Sequence, residues 1–182
     1  MTQDPRGADT VDTEDVVELI LADHREFERL LRELRNRESD RDALLRDIAD
    51  LLVAHAEAEE REVYPVLKRK APEDAEEIEH GTEEHAEGHE ALLALLRTDA
   101  DDEDAFEEAL EELSEALTHH LDEEERDVLN AARENVSDAQ RAELGRAFLR
   151  VRDELLEGSP GDGRNVGRLV AEAEREGLLD ED

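Results

Sequence analysis

Apolar residues recur at spacings of three and four through most of the chain, the period of a helix with one buried face. The first run predicts a helix from Thr13 to about Arg35, capped by Thr13, with Val17, Ile20, Leu21, Phe27, Leu31 and Leu34 on its stripe. After the polar turn NRESD, a second helix is expected from about Arg41 to Lys70. Leu44, Leu45, Ile48, Leu51, Leu52, Val63, Val66 and Leu67 mark its inner side, and Pro65 predicts a kink or an early end. A third opens at APED and reaches about Arg97, weakened by Gly81 and Gly88. A fourth runs from about Glu103 to Asn135 on Phe106, Leu110, Leu113, Leu117, Leu121 and Val128, and Ser137 caps a fifth through Leu144, Phe148, Val151 and Leu155.

Four long helices joined by short turns predict an all-α, antiparallel up-and-down four-helix bundle over about 13–135, with an additional C-terminal helix over about 137–157. Residues 1–12 read as a flexible arm. Residues 158–182, opening on the breaker-rich EGSPGDGRNVG, read as a linker and a short helical or frayed tail.

Composition narrows this picture. Aromatic residues make up only 2% of the 182, so the core must be built from Leu, Val, Ile and Ala. The 22 basic and 56 acidic residues leave a net charge of −34, which argues against nucleic acid and anionic membrane surfaces as partners. Lys68 and Lys70 are the only lysines, the rest being arginines. So acidic a coat with so little lysine is expected of a halophilic protein, since the Debye length falls to about 3 Å at molar salt and self-repulsion is screened. With no cysteine, disulfides, thiolate metal sites, iron–sulfur clusters and cysteine nucleophiles are excluded. No Gly-rich phosphate loop stands out, and Ser114, Ser137 and Ser159 have no base in register. The chain has neither an apolar run of membrane-spanning length nor the basic and apolar regions of a signal peptide, so a cytoplasmic location is expected.

The chemistry lies in a repeat. AHAEAEEREVYPVL and HHLDEEERDVLNAA align without gaps at an offset of 65, placing His55 on His120, Glu59 on Glu124 and Val63 on Val128. The same offset carries His24 of DHREFERLL onto His89 of GHEALLALL. Two helical hairpins therefore read as copies, each with one histidine on its first helix and H-x-x-x-E on its second. Residues four apart share a helix face, and each of these side chains sits on an apolar stripe. Two carboxylates directed into one core need compensation, which a cation supplies. The bland alternatives are a buried His–Glu hydrogen-bond network or a wrongly rotated register. His119 and His80 read as surface residues, and Glu57, Glu60, Glu62 and Glu125 as a solvated face. Tyr64 is left to pack near the centre or to donate a hydrogen bond. Imidazole and carboxylate donors without thiolate suit iron, manganese or zinc, and bridging carboxylates favour a pair of metals.

A histidine on helices one and three with H-x-x-x-E on helices two and four resembles the hemerythrin-like HHE cation-binding domain, here in an acidic, halophile-type form. EEREVYPVLK after His55 is similar to the family as well. The resemblance implies a four-helix bundle holding a di-iron centre, with two Fe ions bridged by carboxylates and an oxo or hydroxo group. Carried over, His24, His55, His89 and His120 are terminal ligands, and Glu59 and Glu124 bridge. Hemerythrins proper carry H-x-x-x-H on helix three, which His85 and His89 reproduce, so His85 is the candidate for the remaining ligand. They carry H-x-x-x-x-D on helix four, whereas this chain has H-x-x-x-E, which favours the broader HHE group.

The expected function is therefore a metal- and small-ligand-binding protein rather than an enzyme. Dioxygen, peroxide or nitric oxide would be its ligand, and sensing, iron handling or oxidative defence its output. The alternatives are a ferritin- or rubrerythrin-like di-iron oxidoreductase and a metal-free helical interaction protein. Ferritin-like centres use two Glu-x-x-His pairs, and here only Glu77 and His80 form one, off the main stripe.

Overall fold

The computed structural model describes residues 14–99 and 102–179, and every regular element among them is helical. The proposed arm at 1–12 and the cap at Thr13 lie outside the described residues. Helix α1, Val16–Leu34, starts on Asp15, whose carboxylate accepts the Val17 N–H. Helix α2 (41–70) is continuous but not uniform. An α-helical stretch Arg41–Ala58 passes through a π-helical turn Glu59–Val63 into Tyr64–Lys70. Helix α3, Ala75–Arg97, follows a short 3-10 turn. Helix α4 (103–135) repeats the pattern of α2: Glu103–Glu123, a π turn Glu124–Val128, then Leu129–Asn135. Helix α5, Asp138–Leu156, is capped by Ser137 as its sequence predicts. Helix α6, Gly163–Glu176, ends on Gly177 at φ 74, the left-handed conformation that glycine takes without penalty.

The π turns are absent from the sequence-based expectation. In each, an N–H bonds five residues back instead of four: Tyr64 to the Glu59 carbonyl, and Leu129 to that of Glu124. Pro65 therefore neither ends α2 nor breaks it. The widened turn just before the proline relieves the contact between its ring and the carbonyl one turn back.

Helices α1 to α4 form the antiparallel bundle, α1 packing on α2, α2 on α3, α3 on α4 and α4 back on α1. Helix α5 covers the outer side of α1 and α2, and α6 packs on α3. Residues 158–179 contribute to the core, since Val166, Val170 and Ala173 of α6 are buried among Leu93, Leu95 and their neighbours. Its approach is fixed at Gly161, which donates its N–H to Asp50 at 2.7 Å and lies so near the α2 backbone that a Cβ would come within 2.3 Å of the Ala49 carbonyl carbon.

The bundle has two apolar cores, not one. Phe27, Leu34, Ile48, Leu92, Leu113 and Leu117 belong to one cluster, and Val16, Ile20, Val63, Leu67, Ile78 and Leu129 to the other. On every helix of the bundle the buried histidines and carboxylates fall between the two. Polar side chains thus fill a layer across the middle of the molecule, closed above and below by aliphatic residues.

Candidate metal centre

Four helices supply that layer: Asp23 and His24 from α1, His55 and Glu59 from α2, Glu84, His85 and His89 from α3, and His120 and Glu124 from α4. All are buried, with Glu59 at 0% exposure. The glutamate that the sequence singles out from its acidic neighbours does point inward.

The donors converge in two groups. His24, His55, Glu59 and Glu124 bring one ligand atom each to a common point, as do Glu59, His85 and His120, and Glu59 is shared. His24 Nε2 lies 3.2 Å from Glu124 Oε2, and His55 Nε2 lies 3.2 Å from Glu59 Oε1. Across the site His85 Nε2 lies 3.1 Å from Glu59 Oε2, and His120 Nε2 lies 3.6 Å from Glu124 Oε2. Two donors each about 2.1 Å from one ion stand roughly 3–3.5 Å apart, so these spacings fit coordination.

Every imidazole in the two groups is held from behind by a carboxylate. Nδ1 of His24 donates to Glu125 at 2.8 Å, Nδ1 of His55 to Asp23 at 3.1 Å, Nδ1 of His85 to Glu60 at 2.8 Å and Nδ1 of His120 to Glu84 at 2.9 Å. An ionised carboxylate only accepts, so the proton sits on Nδ1 and Nε2 is left facing the centre. The expectation that Glu60 and Glu125 belong merely to a solvated face is corrected here. Both are partly exposed, but each reaches back one oxygen to orient a histidine. Asp23 and Glu84 lack any sequence signal beyond standing directly before His24 and His85.

This arrangement also corrects the repeat register on the first helix of each hairpin. The geometric counterpart of His24 is His85, not His89. His24 meets Glu124 with one nitrogen and the next residue, Glu125, with the other, and His85 meets Glu59 and Glu60 in the same way. The offset is 65 on α2 and α4 but 61 between α1 and α3. The second hairpin is longer by four residues, about one helical turn, which keeps the same face inward. A histidine one turn further along therefore satisfied the ungapped alignment.

His89 is that histidine. It is buried on the same face of α3 but falls in neither converging group. Burial, reinforced by the charge on His85, pushes its pKa down to about 3, so it is a neutral imidazole. His55 and His85 go the other way. Burial disfavours their protonation, but Glu59 and Asp23 around His55, and Glu59 and Glu60 around His85, outweigh it and raise each pKa to about 10. Burial likewise works against ionisation of Glu59, yet the facing histidines hold its carboxyl well below the usual range.

Tyr64 joins the two halves. Its hydroxyl donates to Glu124 Oε1 at 2.9 Å and lies 3.5 Å from Glu59 Oε2, and its ring stacks on His85 at 5.6 Å. Burial and the two carboxylates push its pKa well above the ordinary phenol value, so it remains a donor. Gly81 makes room for it, since a Cβ there would lie 2.8 Å from the hydroxyl. On the other side Phe27 and Phe148 meet the His55 ring edge-on, and Arg152 of α5 donates to Asp23 at 2.6 Å.

The site fits a cation on one more count. Seven buried side-chain atoms among the described residues have no hydrogen-bond partner: Nε2 of His24, His55, His89 and His120, Oε1 of Glu59 and Glu84, and Oε2 of Glu124. Each such atom costs about 1–3 kcal/mol if left unsatisfied. Six of the seven belong to residues that the sequence marks as ligands. Such a concentration of unpaired ligand atoms in one buried layer is what a metal site offers an ion.

His119, by contrast, is 58% exposed and His80 44%, as expected of surface residues. No described helix is long and apolar enough to cross a membrane. Compared with curated proteins and with solved structures, the chain finds no match. The hemerythrin HHE cation binding domain matches it as a family over residues 15–132, which span α1 to nearly the end of α4 and include every residue of the polar layer. The chain is a member of the hemerythrin HHE cation-binding family.

Proposed function

We propose that the polar layer holds a pair of non-haem iron ions and that the protein binds dioxygen, peroxide or nitric oxide there, serving sensing, iron handling or oxidative defence. The observation that carries this reading is the mirror relation of the two donor sets around Glu59 and Glu124. Each carboxylate faces a histidine from both halves, as a bridge between two ions requires. One ion would take His24 and His55, and the other His85 and His120. His89 would add a third imidazole to the second ion, its buried and unpartnered Nε2 being the support for that role.

Iron is favoured over manganese or zinc by the backing carboxylates. A carboxylate behind each imidazole raises its basicity and so stabilises an ion that alternates between the divalent and trivalent states. Bound there, a reduced iron pair supplies electrons to a small oxidant or a diatomic ligand. The chain's own part is to orient and to exclude water. Phe27 and Phe148 enclose His55, and the two aliphatic cores close the layer from both ends. Tyr64 holds a donated hydrogen bond on Glu124 and keeps its proton. A binding role is favoured over ferritin-like turnover because His80 of the lone Glu-x-x-His pair lies at the surface, outside the buried donor groups.

Anaerobic loading with ferrous iron and then exposure to air tests the reading. Two irons per chain and the near-ultraviolet bands of a bridged ferric pair are expected. One iron per chain, or none of those bands, would sink it.

A further inference from the structure

Outside the buried centre a second group of ligating side chains converges: His80 and Glu84 of α3 with His119 and Glu123 of α4. We propose that these four residues form a separate surface site for a divalent first-row transition-metal ion, sharing Glu84 with the buried layer.

Glu84 is the observation that points to a ligand. It is only 5% exposed, and its two oxygens face opposite ways. Oε2 accepts from His120 Nδ1 at 2.9 Å, on the inner side. Oε1 is buried without a hydrogen-bond partner and is directed outward, 3.5 Å from His119 Nε2 and 3.9 Å from His80 Nε2. Glu123 closes the group, with 3.8 Å from each of its oxygens to the Nε2 of one histidine. These separations exceed hydrogen-bond length but lie close to the spacing of donors around one ion.

His80 is prepared in the same way as the buried histidines. Its Nδ1 lies 2.9 Å from Glu83 Oε2, which leaves Nε2 facing the group. A carboxylate behind the imidazole is the pattern of a metal ligand.

The pseudo-twofold relation gives an independent argument. On the opposite side the counterpart of Glu84 is Asp23, which stands behind His55 as Glu84 stands behind His120. The outward oxygen of Asp23 is neutralised by the Arg152 guanidinium at 2.6 Å. No arginine reaches Glu84 among the described residues. Two imidazoles and a second carboxylate meet it instead, and a metal ion between them does for Glu84 what Arg152 does for Asp23. The donor set selects the class of ion. Calcium and magnesium take oxygen ligands, whereas two imidazoles with two carboxylates suit zinc, cobalt, iron or copper.

The test is a cobalt(II) titration of the full chain in molar potassium chloride, where the acidic coat binds cations weakly. The wild type is compared with the double variant His80→Gln/His119→Gln and with Glu123→Gln. All three substitutions lie on partly exposed side chains, and circular dichroism checks that the helices persist. The wild type is expected to take up one more readily exchanged ion per chain than the double variant, with the visible absorption of low-coordinate cobalt(II). Glu123→Gln should weaken that ion about tenfold or more. The difference in count isolates the surface site whether or not the buried centre is filled. Equal uptake and equal spectra in the wild type and the double variant would overturn the proposal and leave His80 and His119 as ordinary partners of nearby carboxylates.

Discussion

His85 stands to Glu59 as His24 stands to Glu124, with Nε2-to-carboxylate distances of 3.1 and 3.2 Å on opposite sides of the buried layer. Their equivalence has a direct consequence for metal content. His24→Ala and His85→Ala should each lower it from two ions per chain toward one. His89→Ala should leave two ions, one of them more readily lost to a chelator. Elemental analysis after gel filtration reads all three variants. If His89→Ala costs a whole ion and His85→Ala costs none, the register of the ungapped repeat is the correct one.

The carboxylates behind the histidines hold the imidazoles in orientation from the Nδ1 side. Glu84→Gln and Asp23→Asn should therefore keep the fold and weaken metal binding about 10–100-fold, the usual range for such partners. Competition with a chromophoric chelator measures it. Asp23→Asn should also lower thermal stability more than Glu84→Gln, because Arg152, mostly buried, loses its buried anionic partner and keeps only the exposed Asp153. Unchanged affinity in both variants would mean that the imidazoles are oriented by packing alone.

Tyr64 and Gly81 should be coupled. In the metal-free chain Tyr64→Phe removes a buried hydrogen bond to an ionised carboxylate, a loss of about 1.5–3 kcal/mol. Gly81→Ala would ordinarily stabilise a helix by about 1 kcal/mol. Here the new Cβ meets the Tyr64 hydroxyl at 2.8 Å, so the variant should be destabilised instead. With the hydroxyl gone in the double variant, the clash is relieved and the alanine should cost less than it does alone. Urea unfolding of the four chains gives the cycle, and additive effects would count against the contact.

Proton release should accompany metal binding. His55 and His85 have pKa values of about 10 in the metal-free fold, so both are protonated at neutral pH and must lose a proton to bind an ion. Binding should strengthen as pH rises from 7 toward 10, with about two protons released per chain at neutral pH from these two histidines. Calorimetry in buffers of different ionisation enthalpy counts them. The metal-free fold has the opposite dependence. Both pKa values are raised above the unfolded value of about 6.5, so their contribution is complete below that pH and is lost as pH rises through 10. Release of no protons would show that the imidazoles are neutral before the metal arrives.

Much of the fold and of the site is legible in the residues. The helices are readable because Val17, Ile20, Phe27 and Leu31, and their equivalents on later helices, keep a strict helical period. His55, Glu59, His120 and Glu124 are readable because a gapless repeat marks them out from an acidic background. What a period cannot show is a change of helix type. The π turns at Glu59 and Glu124 leave the spacing before them intact and shift only the residues beyond them. Nor can it show a hairpin lengthened by a whole turn, since that preserves the face, which is why His89 stands in for His85 in the repeat. The backing carboxylates are hidden for another reason. Glu60 and Glu125 sit in runs of like residues, and only the fold decides which of a run turns back toward a histidine.

The paired π turns also bear on how the two hairpins keep in step. A residue gained in the middle of a helix rotates everything beyond it by about 100°, and most such gains ruin the packing of the later turns. Two are present among the described residues, each beginning on a buried glutamate of the polar layer and ending on a valine that returns to the interior. The two widened turns fall at matching positions, so the turns beyond them rotate together and Val63 and Val128 enter the same core cluster. Tyr64, whose repeat equivalent is Leu129, and His89, opposite which the other half has Glu28, are where the matched halves differ.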